Sequence, residues 1–278
     1  KQKTAYEIYQ CDWSSDVCSS DLVPNPYSQL LASDWLKVLK ENNKKVYFVQ
    51  EGPHWMFTEL EIADQIQFYN MLTLVDAIFV HNYSDLAYYS GLVPGKEVCV
   101  IPTLMIEDSI KDIEWKPEEK AIIGGNFARW YGGFESFIVA QDFKVPIWGQ
   151  TSHAMKNSEE QIVNHLPRVS WLNWMKQLST FKYAVHLMPT VAAGTFTLNC
   201  SYFGIPCIGN ERVNTQSYCQ PDLAVDIDDV MAARLLADQL REDKDFYEHC
   251  SKVAKENYNT YFSISVWKEK MINTLNFI

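Results

Sequence analysis

The sequence predicts an α/β fold of two domains, each built on a doubly wound parallel sheet. Short apolar runs typical of buried strands alternate with helical patterns along most of the 278 residues. A charged stretch at 107–119 divides this alternation into two series, so we interpret it as an interdomain linker. Residues 185–210 read as a strand, a glycine-containing turn, a helix and a second strand, which is the repeating pattern of such sheets.

The first series is short. Its strands are predicted at 45–50, 77–81 and 98–102, and its helices at 28–42, 62–75 and 84–90. Ser84 is the expected N-cap of the last helix. Three strands are too few for a complete Rossmann-like domain, so we expect residues 23–106 to form an incomplete first domain.

Residues 12–22, DWSSDVCSSDL, have neither a helical nor a strand period and match nothing around them. This segment resembles the translation of a short-read sequencing adapter, and the alternative is a genuine polar loop. We expect residues 1–22 to be non-native and the natural protein to begin upstream of Val23.

The second series is more complete. Its strands are predicted at 121–125, 145–148, 169–172, 183–188, 205–208 and 223–226. Its helices are predicted at 134–141, 174–181, 196–203, 230–240 and 245–257, with Gly204 ending the third of them. These elements assign residues 120–258 to a second domain and leave 259–278 as a C-terminal segment with a helix at 263–276.

The composition disfavours several partners. The net charge of −11 disfavours nucleic acid or an anionic membrane, since both are bound through clustered Lys and Arg. No apolar run approaches the ~20 residues that a membrane span needs. The seven cysteines show no C-x-x-C pair and no zinc spacing. We expect Cys99, Cys200 and Cys207 to be free buried thiols and the protein to be cytoplasmic.

Two glycine turns are candidate anion sites. Gly194, Thr195 and Phe196 lie where a strand leads into a helix, and backbone N–H groups and the helix dipole favour a phosphate there. The other turn, GGNFAR at 124–129, combines close backbone approach with Arg129, which can pair with phosphate oxygens. Most such turns bind nothing, so a tight turn with a solvated Arg129 is the alternative. Because both turns follow strands of one sheet, we favour a shared site.

Asp226 and Asp228 form a D-x-D pattern that holds a metal in some enzymes. We reject that interpretation because Asp228 or Asp229 stands where the next helix needs an N-cap. We therefore expect neither a metal nor an organic cofactor.

The stretch with Pro189-Thr190, Gly194, Phe196 and Gly204-Ile205-Pro206 resembles the donor-site segment of GT-B glycosyltransferases that use nucleotide sugars. The turn at 124–129 resembles the loop that opens their donor domain and approaches the donor diphosphate.

The sequence departs from that family at two positions. Val191 and Asn199 stand where the family has two Glu residues that hold the sugar and ribose hydroxyls of the donor. Asn199 can still form hydrogen bonds to those hydroxyls, whereas Val191 cannot.

The resemblance implies transfer of a hexose-type sugar from a nucleotide-diphosphate sugar to an acceptor hydroxyl without a metal. The acceptor would be a glycan, a lipid-linked molecule or a small molecule. The C-terminal helix would pack back on the first domain. The implied contacts to the donor come from Gly124, Gly125, Asn126, Arg129, Gly194, Thr195, Phe196 and Asn199.

Glu51 and His54 are the catalytic candidates. They follow the predicted strand 45–50, near the position where the family has a His facing the sugar. Either could act as a base or stabilise a developing oxocarbenium ion. The alternative is a solvated Glu51 and a His54 packed near Trp55.

Two other functions remain open. One is a nucleotide-sugar epimerase on the same fold, which needs a paired acid and base in the cleft. The other is a non-catalytic binding or assembly subunit, which Val191 and Asn199 suggest because they replace the family's carboxylates.

Overall fold

The computed structural model describes residues 34, 36–125, 127, 130–150, 162–167 and 169–278. The adapter-like segment and the first part of the predicted helix 28–42 lie outside these residues. Residues 36–41 are helical, in agreement with that prediction.

Three parallel strands form the first sheet, in the order β1-β2-β3. They are β1 (Tyr47–Val49), β2 (Ala77–Val80) and β3 (Glu97–Val100). Helix α1 (Ile62–Leu74) connects the first two strands and α2 (Tyr83–Leu92) the last two. A 3-10 helix, His54–Glu59, follows β1. Ser84 is not the N-cap of α2; Asn82 occupies that position, so the predicted cap is wrong.

Six parallel strands form the second sheet, in the order β6-β5-β4-β7-β8-β9. They are β4 (Glu118–Ile123), β5 (Ile147–Gln150), β6 (Asn164–Leu166), β7 (Phe181–His186), β8 (Cys207–Asn210) and β9 (Ala224–Val225). Since β4 begins at Glu118, the end of the predicted linker belongs to this strand.

Helices cover both faces of the second sheet. The described helices after β4 are α3 (Gly133–Ala140), α4 (Trp171–Leu178), α5 (Thr195–Phe203), α6 (Asn214–Cys219), α7 (Val230–Glu242) and α8 (Lys244–Tyr261), followed by the C-terminal α9 (Ile264–Phe277). On one face, α4, α5 and α8 pack on Ile122 and Ala184. On the other face, α3 and α7 pack on Ile123 and Val185. The predicted doubly wound α/β architecture is confirmed.

The predicted strand 169–172 is wrong. Helix α4 begins at Trp171, because Trp171, Trp174, Met175 and Leu178 recur at helical spacing and the last three are buried. The sheet position goes instead to β6, which the sequence did not predict. Helix α6 was also missed, and Phe181 lies in β7 rather than in the preceding helix.

The strand order of the second sheet reverses direction between β4 and β7. Counted from β4, the order is 3-2-1-4-5-6, which is that of a dinucleotide-binding Rossmann domain. In open α/β sheets, ligands bind outside the carboxyl ends of the strands at this switch point. The fold therefore points to the loops after β4 and β7.

Helix α9 returns to the first domain. Met271 and Ile278 pack on Ala77 and Phe79, on the face of the first sheet opposite α1 and α2. Residues at the end of the chain therefore contact the first sheet.

Cys200 and Cys207 are free and buried as predicted, whereas Cys99 is only half-buried. Within the described ranges, no helix has both the length and the apolar character to cross a bilayer.

Candidate functional site

The two predicted glycine turns lie side by side at the switch point. β4 and β7 pair with Ile123 opposite Val185, and Gly124 N donates to Val185 O over 2.8 Å. A Cβ added at Gly124 would stand 2.5 Å from the His186 ring and 2.9 Å from the Phe196 ring. The backbone after β4 thus contacts the first turn of α5, and only glycine permits this approach.

The turn before α5 is held in one conformation. Gly194 has a φ of +70°, and a Cβ there would lie 2.6 Å from Val213 Cγ1. Thr215 Oγ1 donates to Gly194 O over 2.9 Å. The first N–H groups of an α-helix lack carbonyl partners within the helix. In α5 these include the N–H groups of Thr195 and Phe196. The turn therefore offers backbone donors and the positive end of the helix dipole to an anion.

The other residues predicted to contact the donor are Asn199, Asn126 and Arg129. Asn199 lies one turn after Thr195 on the same face of α5, with 7% of its surface exposed. Val191, at the other position of the family's carboxylates, is also buried. Asn126 and Arg129 lie outside the described residues.

The His186 ring lies between Gly124 and Phe196, and thus between the two turns. It packs against Phe196 with a centroid distance of 4.9 Å. Burial lowers the pKa of His186 to about 4, because a charged imidazolium would lose hydration there. The imidazole is therefore neutral at ordinary pH.

The first domain contains a histidine–carboxylate pair. His54 Nδ1 lies 2.9 Å from Asp85 Oδ1, and the side chains are 30% and 2% exposed. The His54 ring stacks on Tyr88 at a centroid distance of 4.2 Å. Because a carboxylate accepts hydrogen bonds, Nδ1 donates the proton of this bond, and in the neutral imidazole Nε2 is then the acceptor. This is the arrangement of an oriented general base.

A second histidine–carboxylate pair has the reverse pattern of burial. His81 Nε2 lies 3.4 Å from Glu51 Oε2, an ion-pair distance outside hydrogen-bond geometry. Here the histidine is the more buried member and the carboxylate the less buried one, at 4% and 22% exposure. His81 Nδ1 lies 3.3 Å from Ile101 O. The more exposed members of both pairs, Glu51 and His54, thus belong to the segment that follows β1.

Helix α2 also fixes the start of that loop. Tyr89 donates its hydroxyl proton to Gln50 Oε1 over 2.7 Å, and Gln50 Nε2 donates to Gly52 O over 2.6 Å. Burial raises the pKa of the Tyr89 hydroxyl, so this donor stays protonated.

The carboxyl ends of the two sheets face each other. After β2, Asn82 Nδ2 donates to Ala192 O over 2.7 Å. After β3, Thr103 Oγ1 donates to Ala193 O over 2.6 Å. Since both carbonyls belong to the loop between β7 and α5, the loop that leads to Gly194 also contacts the first domain.

Asp229 is the N-cap of α7, where it accepts a hydrogen bond from Ala232 N, as the sequence indicated. Asp226 Oδ1 accepts from the Asp228 N–H over 2.9 Å. In the part of the chain that the structure describes, no cluster of three or more His, Cys, Asp or Glu side chains is arranged to hold a metal ion.

The sequence analysis assigned no role at the site to Asp85, Asn82, His81 or His186. Asp85 and His54 are 31 positions apart, so no local spacing joins them. The one available signal was that His81 and Asn82 directly follow a predicted strand, at the edge where ligands bind.

No protein family and no curated protein matches the sequence. Solved structures do match. Sucrose-phosphate synthase from Thermosynechococcus elongatus superposes with a TM-score of 0.67 at 12% identity, over 89% of this chain and 71% of that one. TarM from S. aureus, in a complex that contains UDP, gives 0.67 at 12% identity, over 87% and 53%. HepE from Anabaena, in complex with UDP, gives 0.67 at 9% identity, over 90% and 77%.

These likenesses show the fold. The chain has two Rossmann-like domains in the GT-B arrangement, as the sequence resemblance implied. It spans 53% of the TarM chain, or about half of that protein.

Proposed function

We propose that this chain transfers a glycosyl group from a nucleotide-diphosphate sugar to an acceptor hydroxyl. The observation that carries the proposal is the position of the α5 N-terminus. It lies at the switch point of the second sheet, and the domain that carries His54 and Glu51 meets the loop leading to it. Structures of HepE with UDP-glucose and of TarM with UDP support a donor of this class.

The second domain would hold the donor. The N–H groups of Thr195 and Phe196 would bind the diphosphate beside Gly124 and Gly125. Asn126 and Arg129 would add contacts from the adjoining turn, and Asn199 would contact the sugar or ribose. The helix N-terminus would stabilise the leaving diphosphate without a metal ion.

The first domain would supply the acid–base chemistry. The acceptor oxygen bonds to the anomeric carbon while the bond from that carbon to the phosphate oxygen breaks. His54 Nε2 takes the proton of the acceptor hydroxyl, and Asp85 stabilises the resulting imidazolium. Glu51 lies in the same loop and would stabilise positive charge on the sugar ring. We propose a hexose donor, and a glycan, lipid-linked or small-molecule acceptor in the cytoplasm.

An epimerase is a second candidate, because the structure has two histidine–carboxylate pairs where the sequence showed no clear acid–base pair. A non-catalytic subunit is a third, because Val191 is buried in place of a carboxylate.

The test is to incubate the protein with UDP-, GDP- and ADP-hexoses, with and without sugar acceptors, and to separate all products. Release of nucleoside diphosphate together with a glycosylated acceptor supports the proposal. Interconversion of the donor sugar would make the protein an epimerase. Donor binding by calorimetry without turnover would make it a binding subunit, and no binding of any donor would refute all three.

A further inference from the structure

The Asn82 side chain makes three hydrogen bonds, and two of them join the two domains. Its amide Nδ2 donates to Ala192 O over 2.7 Å and to Asp85 Oδ2 over 3.2 Å. Its Oδ1 accepts from Asn214 N over 3.0 Å. The side chain is 1% exposed. Because a carbonyl and a carboxylate need donors and an N–H needs an acceptor, only one orientation of the amide satisfies all three partners.

Asn82 contacts both segments that border the proposed phosphate site. Ala192 lies two residues before Gly194 in the loop that leads into α5. Asn214 precedes Thr215, whose hydroxyl donates to Gly194 O. An anion that fixes the turn at Gly194 would therefore also fix two of the three groups that hold Asn82.

On its other side, Asn82 reaches the proposed base. Asp85 uses one carboxylate oxygen for Asn82 Nδ2 and the other for His54 Nδ1. A continuous chain of hydrogen bonds thus runs from Ala192 O through Asn82 and Asp85 to His54, with lengths of 2.7, 3.2 and 2.9 Å.

Two other hydrogen bonds in the described part of the chain cross between the domains at the same place. Thr103 Oγ1 donates to Ala193 O, and the Tyr83 and Tyr218 hydroxyls lie 3.5 Å apart. Of these crossing side chains, Asn82 is the one with a described bond to Asp85 as well. Thr103 therefore provides a control with an equally buried contact to the adjacent carbonyl.

We propose that Asn82 is a positioning residue that couples occupancy of the donor site to the alignment of His54. The loop between β7 and α5 holds Asn82, and Asn82 orients the Asp85 carboxylate. Asp85 in turn holds the His54 imidazole with Nε2 free. His54 is then fully aligned only when the loop at Gly194 is in place. This inference rests on the proposed function for its catalytic meaning, but the coupling itself is measurable without turnover.

The first test is NMR of the His54 ring nitrogens in the free protein and after addition of UDP, with the signals assigned by His54→Gln. In the parent protein we expect the Nδ1–H form, and we expect UDP to shift the ring signals. Asn82→Leu should reduce the Nδ1–H population and abolish the response to UDP. Thr103→Val should preserve both. A response that persists in Asn82→Leu, or an equal loss in Thr103→Val, would overturn the proposal.

A second variant removes a hydrogen bond of Asn82 without altering a buried side chain. Asn214→Pro removes the N–H that donates to Asn82, and proline is tolerated there because Asn214 is the first residue of α6. Asn214→Ala keeps the N–H and is the matched control. We expect the proline variant to weaken the His54 response and the alanine variant to retain it. Equal behaviour of the two variants would contradict the coupling.

The kinetic readout separates this inference from the proposed function. With an active donor, Asn82→Leu should lower kcat at least tenfold with little change in donor KM, and should add no further loss to His54→Gln. Thr103→Val should act additively with His54→Gln. Full additivity of Asn82→Leu would refute positioning. Absence of turnover refutes only the proposed function, because the Nδ1–H population in the UDP-free protein still decides whether Asn82 positions His54.

Discussion

The Glu107 carboxylate joins the domain boundary to the C-terminal helices, since its Oε1 lies 2.7 Å from the Tyr258 hydroxyl. The same oxygen accepts from Ile264 N, the first residue of α9, over 2.7 Å. Burial and the neighbouring Glu107 raise the pKa of Tyr258, so its hydroxyl remains a donor. One carboxylate thus anchors the helix that returns to the first domain.

Glu107→Ala should lower the free energy of unfolding by about 3 kcal/mol, because it removes two hydrogen bonds to a charged acceptor and leaves buried donors unpaired. Urea denaturation measures the effect. Glu114→Ala is the matched control, since Glu114 pairs with Lys116 and both side chains are exposed to solvent. We expect no measurable change for it, and equal effects of the two variants would contradict the anchoring role of Glu107.

His186 should make the protein less stable in mild acid. Its folded-state pKa of about 4 lies below the ordinary value of 6.5, so the unfolded chain binds the proton more readily between these values. Stability is then full above pH 6.5, falls as the pH drops towards 4 and levels off below. The loss is at most about 3 kcal/mol, because each pH unit between the two pKa values corresponds to about 1.4 kcal/mol.

His186→Gln should flatten this acid limb, which unfolding free energies measured from pH 7 to pH 4 would show. His249→Gln, which alters an exposed histidine, should leave the limb unchanged. An unaltered acid limb in His186→Gln would show that another group causes it.

Glycine should be required at position 194 for two reasons, its positive φ and the lack of space for a Cβ. Gly95 has a similar positive φ of +82° but open space around its Cα, whereas a Cβ at Gly194 meets Val213 and Thr215. Gly95→Ala should cost about 1 kcal/mol of unfolding free energy. Gly194→Ala should cost about 2 kcal/mol more. Equal costs in urea denaturation would mean that the Gly194 turn is not tightly packed.

The His54–Asp85 pair should act as one unit in catalysis. His54→Gln should lower kcat about 100-fold or more, because it removes the proposed base. Asp85→Asn should also lower kcat, and the double variant should lose little more than His54→Gln alone. The pair of His249 and Asp222 has a similar length, 3.1 Å, but is exposed, so His249→Gln should retain full kcat. Additive losses at His54 and Asp85 would contradict the dyad.

The sequence predicted the sheets better than their short or irregular parts. The βαβ pattern of β7, α5 and β8 was correct because its apolar runs, Gly194 and Gly204 are local signals. β6 was missed because its three residues, Asn-His-Leu, carry no β-branched side chain. The first residues of the helix at Trp171 resemble an apolar run, which predicts a strand instead.

The candidate site was only half visible in the sequence. Glycine turns before helices can be recognised locally, so Gly124 and Gly194 could be found, and the sheet then brings them together. Asp85 and Asn82 acquire their partners only through tertiary structure, His54 for the one and Ala192 for the other. No spacing along the chain encodes such pairs.

The most direct measurement is calorimetric titration of UDP-glucose and other nucleotide hexoses into Thr195→Glu and Thr195→Gln. A carboxylate at the first residue of α5 suits the helix dipole, so Thr195→Glu should fold normally, but it would repel a diphosphate at the same N-terminus. We predict at least about tenfold weaker donor binding than in the neutral, similarly sized Thr195→Gln. Equal donor affinities in the two variants would show that the α5 N-terminus does not hold the diphosphate.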